Sequence, residues 1–227
     1  MKIILFGASG MVGQGVLREC LLAADVETVL VIVRKPIDVQ HAKLRQLVCT
    51  DLFDYSGVKA QLSGYDACLF CLGSSSSGAS EADFARINHD LPLAAAHALA
   101  DTNRAMVFVY VSGAGTDSTE HGRVMWANVK GRTENALQTL GFKAVYLFRP
   151  GFIVPANGEV SKTKIYRWIY GSLGWALALL AKALPTQILD TEQIGLAMLH
   201  VASGSQTQPV VDSAAIHRLA VARRTGA

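Results

Sequence analysis

The sequence predicts a doubly wound α/β fold, a parallel sheet covered by helices on both faces, with a small, mostly helical C-terminal appendage. Three observations carry this prediction. Short β-rich runs alternate with longer stretches whose apolar residues recur at helical spacing. The first run leads directly into a glycine-rich turn that opens a helix. Beyond Arg149-Pro150-Gly151 the alternation gives way to helical patterns.

In chain order the expected strands are Ile3 to Phe6, Thr28 to Val33, Gln46 to Cys49, Ala67 to Leu72, Met106 to Val111 and Ala144 to Phe148. They read as apolar on both faces, which marks central strands of a parallel sheet. Between them, helices are expected over Met11 to Leu22, Glu81 to Ala100 and Val124 to Leu140, with a helical turn near Val58 to Leu62. Further on, the pattern predicts helices over Lys162 to Ala183 and Thr191 to Ala202, a short strand near Pro209 to Val211 and a terminal helix from Ser213. Residues 1–150 would form the nucleotide-binding core. Residues 151–227 would form an appendage on the substrate side, unable to fold alone.

Composition narrows the function classes. With 51% hydrophobic residues, 6 Pro and 4 Cys in 227 residues, the chain is neither disordered, nor collagen-like, nor a disulfide scaffold. A net charge of +3, not gathered into one block, gives no footprint for nucleic acid. Cys68 and Cys71 lie three apart in a strand, so alternation sends them to opposite faces, and no second Cys/His cluster follows to make a metal site. Buried thiols and the lack of a signal-peptide pattern at Met1 to Gly7 point to a cytoplasmic protein. The apolar stretch Trp168 to Leu184 carries Gly171, Gly174 and Lys182 and reads as a buried or interface helix, not an integral membrane span.

The candidate site begins at Gly7-Ala8-Ser9-Gly10-Met11-Val12-Gly13. Gly7 permits the tight turn, Gly10 lets backbone approach a pyrophosphate, and Gly13 lets the helix pack on the strand. Ser9, Met11 and Val12 complete a turn whose N–H groups and helix dipole suit phosphate, the mark of a dinucleotide-binding Rossmann fold. Where a NAD site places an acidic residue after the second strand, this chain has Arg34-Lys35, which suits a 2′-phosphate and favours NADP(H) over NAD(H). A solvated basic pair is the alternative. Asp51 and Leu52 after the third strand could meet the adenine, or Asp51 could be a simple turn residue. Leu72-Gly73-Ser74, opening the serine-glycine loop that ends at Gly78, would flank the adenosine and ribose.

Beyond the glycine turn, Ile87-Asn88-His89-Asp90, Val111-Ser112-Gly113-Ala114, Val129-Lys130-Gly131 with Glu134, and Phe148-Arg149-Pro150-Gly151 follow in order. Over nearly its whole length the chain resembles the atypical, extended-like short-chain dehydrogenase/reductases, relatives of sugar-nucleotide epimerases and Tat-interacting-protein-like oxidoreductases. The resemblance implies that Ser112 bonds a substrate carbonyl, with loop capping as its alternative role, and that Lys130 holds the nicotinamide ribose. It also implies that Asn88 links to Lys130 through a water, and that Pro150, Gly151 and Ile153 lie on the nicotinamide side. One departure stands out. The family tyrosine four residues before the lysine is Trp126 here, whose indole cannot act as an acid or base near neutral pH. Tyr110, His121 or a water would have to replace it.

The function expected is an NADP(H)-dependent oxidoreductase on a small carbonyl substrate, in a monomer or homodimer. A non-catalytic NADP(H)-binding regulatory or redox-sensing protein is the alternative. A sugar-nucleotide epimerase or dehydratase is less favoured, because only about 75 residues follow Gly151.

Overall fold

A computed structural model of the chain describes residues 1–159, 186–204 and 208–226. The expected helix Lys162 to Ala183 and the apolar stretch Trp168 to Leu184 lie outside the described residues. Nine strands are described: β1 (Lys2–Phe6), β2 (Thr28–Val33), β3 (Leu44–Val48), β4 (Ala67–Phe70), β5 (Val107–Val111), β6 (Ala144–Arg149), β7 (Phe152–Val154), β8 (Ile188–Asp190) and β9 (Val210–Asp212). Seven form one parallel sheet in the order β3-β2-β1-β4-β5-β6-β9, and β7 pairs with β8 beside it. The fold is a doubly wound Rossmann sheet with a smaller, helical C-terminal region.

The chain runs from β1 outward to β3, then returns to the other flank of β1 for β4. In register, Phe6 faces Ile32 on one side and Phe70 on the other, so the carboxyl ends of β1, β2 and β4 are level. The reversal of strand order between β1 and β4 opens the crevice in which such sheets bind ligands.

Alternation along the strands divides the core into two layers. Ile3, Leu5, Val31, Leu69 and Val109 face α1 (Met11–Leu22) and a later helix, α5 (Thr191–Ala202). Ile4, Phe6, Ile32, Phe70 and Phe108 face α3 (Leu91–Ala100). Cys68 packs in the second layer and Cys71 against the first, as the strand period requires. On the α3 side the Phe6 and Phe70 rings stack at 5.0 Å, and Phe70 and Phe108 at 6.1 Å, an aromatic row across the three strands under the crevice.

Two expectations are corrected. The strand expected at Gln46 to Cys49 is β3, begins at Leu44 and is not central: it forms the sheet edge, with Arg45, Gln46 and Val48 exposed. The helix expected over Glu81 to Ala100 is interrupted: α2 (Glu81–Ala85) passes through a π-helical turn, Arg86–Asp90, before α3. The described residues of the smaller C-terminal region pack directly on the core. β9 extends the main sheet beside β6, and α5 packs so closely on α1 that a Cβ on Gly15 would lie 2.5 Å from Thr191 Cβ. Asp190 anchors α5 with a capping box closed by Gln193, and Asp212 caps α6 (Ser213–Thr225).

Candidate functional site

The glycine turn divides into parts with different physical reasons. Gly7 has φ +84°, and a Cβ there would lie 2.6 Å from the Cys71 carbonyl carbon at the end of β4. A Cβ on Gly13 would lie 2.0 Å from the Gly7 carbonyl oxygen, so α1 can rest on β1 only without a side chain there. Gly10 is unlike both. Its φ of −90° suits any residue, and its Cβ would meet only the Gly7 oxygen, at 3.4 Å. Nothing inside the fold requires glycine at this position. Gly10 is also the N-cap of α1, which has no side-chain cap and no acidic residue in its first turn. A helix end of this kind suits an anion, and the turn therefore fits a dinucleotide pyrophosphate.

A cleft of about 340 Å³ runs from this turn across the carboxyl ends of the strands. Val12, Leu72, Gly73, Ser74, Phe84, Asn88, Ser112, Trp126 and Lys130 are among its walls. Lys130 projects from α4 (Met125–Gln138) and is 7% exposed. Its Nζ donates to the Tyr110 hydroxyl at 3.1 Å and to the Val111 carbonyl at 3.3 Å. Burial pushes this ammonium down to about 8, against the pull of Glu134 one turn further on. A Cβ on Gly73 would lie 3.1 Å from Asn88 Oδ1 and 3.6 Å from Lys130 Nζ, so the glycine keeps the lysine open to the cleft.

The π turn has a local cause. In a regular helix the N–H four residues after Asn88 would bond its carbonyl, but that residue is Pro92, which has no N–H. The Tyr110 hydroxyl donates to this Asn88 carbonyl at 3.0 Å, and the Thr133 hydroxyl lies 2.8 Å from it. Asn88 is thus linked to Lys130 through the Tyr110 hydroxyl, where the resemblance implied a water. Its side chain meanwhile donates to Ser74 Oγ at 2.9 Å and steadies the β4 loop. Pro92 was the legible signal for this arrangement.

On the other wall, the Ser112 hydroxyl donates to the buried carboxylate of Glu134 and lies 3.2 Å from the Phe148 carbonyl. Arg149 grips both carboxylate oxygens and donates to Ser118 Oγ at 2.6 Å. Ser112, expected to donate to a substrate carbonyl, therefore directs its proton into the protein. Trp126 lies against the loop Gly113-Ala114-Gly115, where a Cβ on Gly115 would be 3.6 Å from its Cη2. It separates the main cleft from a second one lined by Thr116, Arg123 and Asn128. Of the substitute proton donors, Tyr110 is fully buried behind Lys130, and His121 is exposed in the loop before α4. The Ser112–Glu134–Arg149 chain, with Glu134 buried at its centre, was missed in the sequence. Its signal was two charged residues, Glu134 and Arg149, at positions where the helix and strand patterns face the core.

The other expected residues are distributed along the same edge. Arg34 and Lys35 are exposed immediately after β2, one strand from the glycine turn. Asp51 accepts the Phe53 N–H at 2.8 Å, the contact of a turn aspartate, and Leu52 is buried in the α3-side core. Pro150, Gly151 and Ile153 lie outside the cleft lining. Gly151 has its own structural reason: its N–H donates to Ser213 Oγ at 2.7 Å, and a Cβ would lie 3.1 Å from the Gln187 carbonyl. Among the described residues no cluster of His, Cys, Asp or Glu is arranged to hold a metal ion, and no helix is long and apolar enough to cross a membrane.

Comparison with known proteins agrees with this geometry. The chain is 27% identical over 171 residues to the protein fmp52-2, mitochondrial, of Aspergillus terreus, covering 74% of this chain and 73% of that one. It is 26% identical over 181 residues to protein HTATIP2 of Rattus norvegicus, covering 77% and 73%. The Bordetella bronchiseptica enzyme WbmF, solved with NAD+, superposes with a TM-score of 0.67 at 17% identity over 99% of this chain and 77% of that one. The fungal relatives correct one expectation. Those from Aspergillus terreus, Emericella nidulans and Candida albicans are named as mitochondrial proteins, so the expected cytoplasmic location is withdrawn. Unpaired cysteines carry no information about which compartment holds the protein. The NAD(P)H-binding family profile matches residues 7–159, which span the glycine turn, the cleft and the buried lysine, and the chain belongs to that family.

Proposed function

We propose that this protein is an NADP(H)-dependent oxidoreductase acting on a small carbonyl compound. The observation that carries the reading is convergence: Val12, in the first turn of an α1 that has no side-chain cap, and the buried Lys130 border one cleft at the switch point of the sheet. Gly7, Ser9, Gly10, Met11, Val12 and Gly13 would hold the pyrophosphate. Arg34 and Lys35 would pair with a 2′-phosphate, Asp51 and Leu52 would border the adenine, and Leu72, Gly73 and Ser74 the ribose. Lys130 would hold the nicotinamide ribose. When bound, the reduced nicotinamide supplies a hydride. Trp126 would wall the cleft, while Ser112, its hydroxyl donating to Glu134, could accept a hydrogen bond from the hydroxyl of the alcohol product.

Titration calorimetry with NADPH and NADH tests the cofactor half of this reading. NADPH is expected to bind at least about tenfold more tightly. Arg34→Asp should weaken NADPH about 10- to 100-fold by losing a charge-assisted phosphate pair, and change NADH little. Equal affinity for the two cofactors in the unmodified protein overturns the preference.

A second reading is a non-catalytic NADP(H)-binding protein, favoured by Trp126 at the expected acid position and by the inward-turned Ser112. NADPH that stays unoxidised with a panel of aldehydes, ketones and quinones would support it, and a gain of turnover in Trp126→Tyr would mark a lapsed enzyme. A sugar-nucleotide substrate has only the shared fold in its favour.

A further inference from the structure

Two titratable side chains line the cleft among the described residues, Cys71 and Lys130. The Cys71 thiol lies 3.9 Å from Met198 Sδ, and burial pushes it up to about 12, so it keeps its proton at neutral pH. Ser112 directs its proton to Glu134, and the Trp126 indole N–H is not acidic near neutrality. Tyr110 has no exposure, donates to the Asn88 carbonyl and stands behind Lys130.

We infer that Lys130 is the proton donor of the reduction, its ammonium protonating the carbonyl oxygen as hydride reaches the carbonyl carbon, and its amine the acceptor in the reverse direction. The inference rests on the oxidoreductase reading and adds the residue that moves the proton. Two of the three Nζ protons are directed to Tyr110 and Val111, which orients the third toward the cleft beside Gly73. The step balances. A C–H bond forms at the carbonyl carbon with hydride from the reduced nicotinamide, which is oxidised. The C=O π pair becomes the new O–H bond as an N–H bond of Lys130 breaks. The neutral amine left behind regains a proton from water when the alcohol departs.

The surroundings suit a group that must exist in both forms near neutral pH. Burial lowers the ammonium to about 8, and Glu134 on the same helix, itself paired with Arg149 of β6, limits the fall. Tyr110 faces Nζ from β5, Cys71 closes the β4 side, and His89 of the π turn approaches through Thr133, 3.1 Å away.

Two measurements on the full chain test this. With 15N-labelled lysine, the Lys130 signal, assigned by its loss in Lys130→Arg, should titrate near pH 8 in the unmodified protein; a Lys130 that remains ammonium through pH 10 overturns the inference. Lys130→Arg keeps a cation for the ribose but cannot exchange a proton near neutrality. With NADPH raised to saturate each protein, so that any change in cofactor affinity is removed from the rate, its single-turnover reduction of 9,10-phenanthrenequinone should fall about 10²- to 10⁴-fold. An unchanged rate in Lys130→Arg overturns the proton role alone. A protein that binds neither NADPH nor NADH overturns the oxidoreductase reading itself, and one that binds NADPH but leaves the quinone unreduced at every pH overturns the proton role with it.

Discussion

The β1–α1 turn and the β5–α4 face border the same cleft, yet they are made in opposite ways. The turn holds no titratable side chain; its shape comes from what is missing, the Cβ atoms of Gly7 and Gly13, and its attraction for an anion comes from backbone N–H groups. The β5–α4 face is crowded with buried polar groups: Lys130 against Tyr110, and Glu134 between Ser112 and Arg149. Every one of those groups loses water on folding and must find a partner from another element. The turn is therefore a local device that a short sequence specifies. The charged face is a collective one, and a change at any member is felt by the others.

That difference can be broken at four points, in falling order of effect on stability. Gly13→Ala places a methyl 2.0 Å from the Gly7 oxygen and should cost about 5 kcal/mol or more, enough to leave little soluble protein; urea denaturation of whatever folds would measure it. Glu134→Ala leaves the partly exposed Arg149 guanidinium without its buried carboxylate partner and should cost about 2–3 kcal/mol. The double variant Glu134→Ala with Arg149→Met should recover most of that loss, since no charge then remains uncompensated. A double variant as unstable as the single one would show that packing, not charge, is what the pair supplies.

Lys130→Met should move the other way. The lysine is ionised in the unfolded chain up to about pH 10.5 but is lowered by burial in the fold, so it costs stability below pH 8, and that cost fades as pH rises from about 8 toward 10.5. At pH 7 the variant should be more stable by about 1–3 kcal/mol, and the gap should close at high pH; a gap independent of pH would mean that Lys130 is not strained by desolvation. The smallest effect is expected at Gly10→Ala, under about 0.5 kcal/mol in stability, because the added Cβ meets only the Gly7 oxygen at 3.4 Å. NADPH affinity measured on the same sample should nevertheless fall about tenfold, since the methyl would occupy the space left for pyrophosphate. A loss of stability without a loss of affinity would remove Gly10 from the site.

Legibility followed the same division. The glycine turn, the basic pair after β2 and the alternating strands could be read from residues close together in sequence, because each depends on backbone geometry or on the strand and helix periods. β3 was misjudged as central, since its few apolar residues do not reveal which neighbours it lacks until the strand order is known. The π turn was within reach, because Pro92 follows Asn88 by one helical step, but its consequence depends on Tyr110 arriving from another strand. Ser112 lies at the cleft as expected, but that its hydroxyl donates to a carboxylate 22 residues away could not be read from local pattern.

By itself the sequence determined the sheet, the helices that cover it and a turn shaped for a dinucleotide phosphate, because those follow from local sterics and hydrophobic period. The tertiary structure alone decided the electrostatics of the cleft: which carbonyl Pro92 frees, where the Ser112 proton points, and how far Lys130 is withdrawn from water. Those depend on distances between residues that only folding brings together, and a buried charge takes its properties from its neighbours.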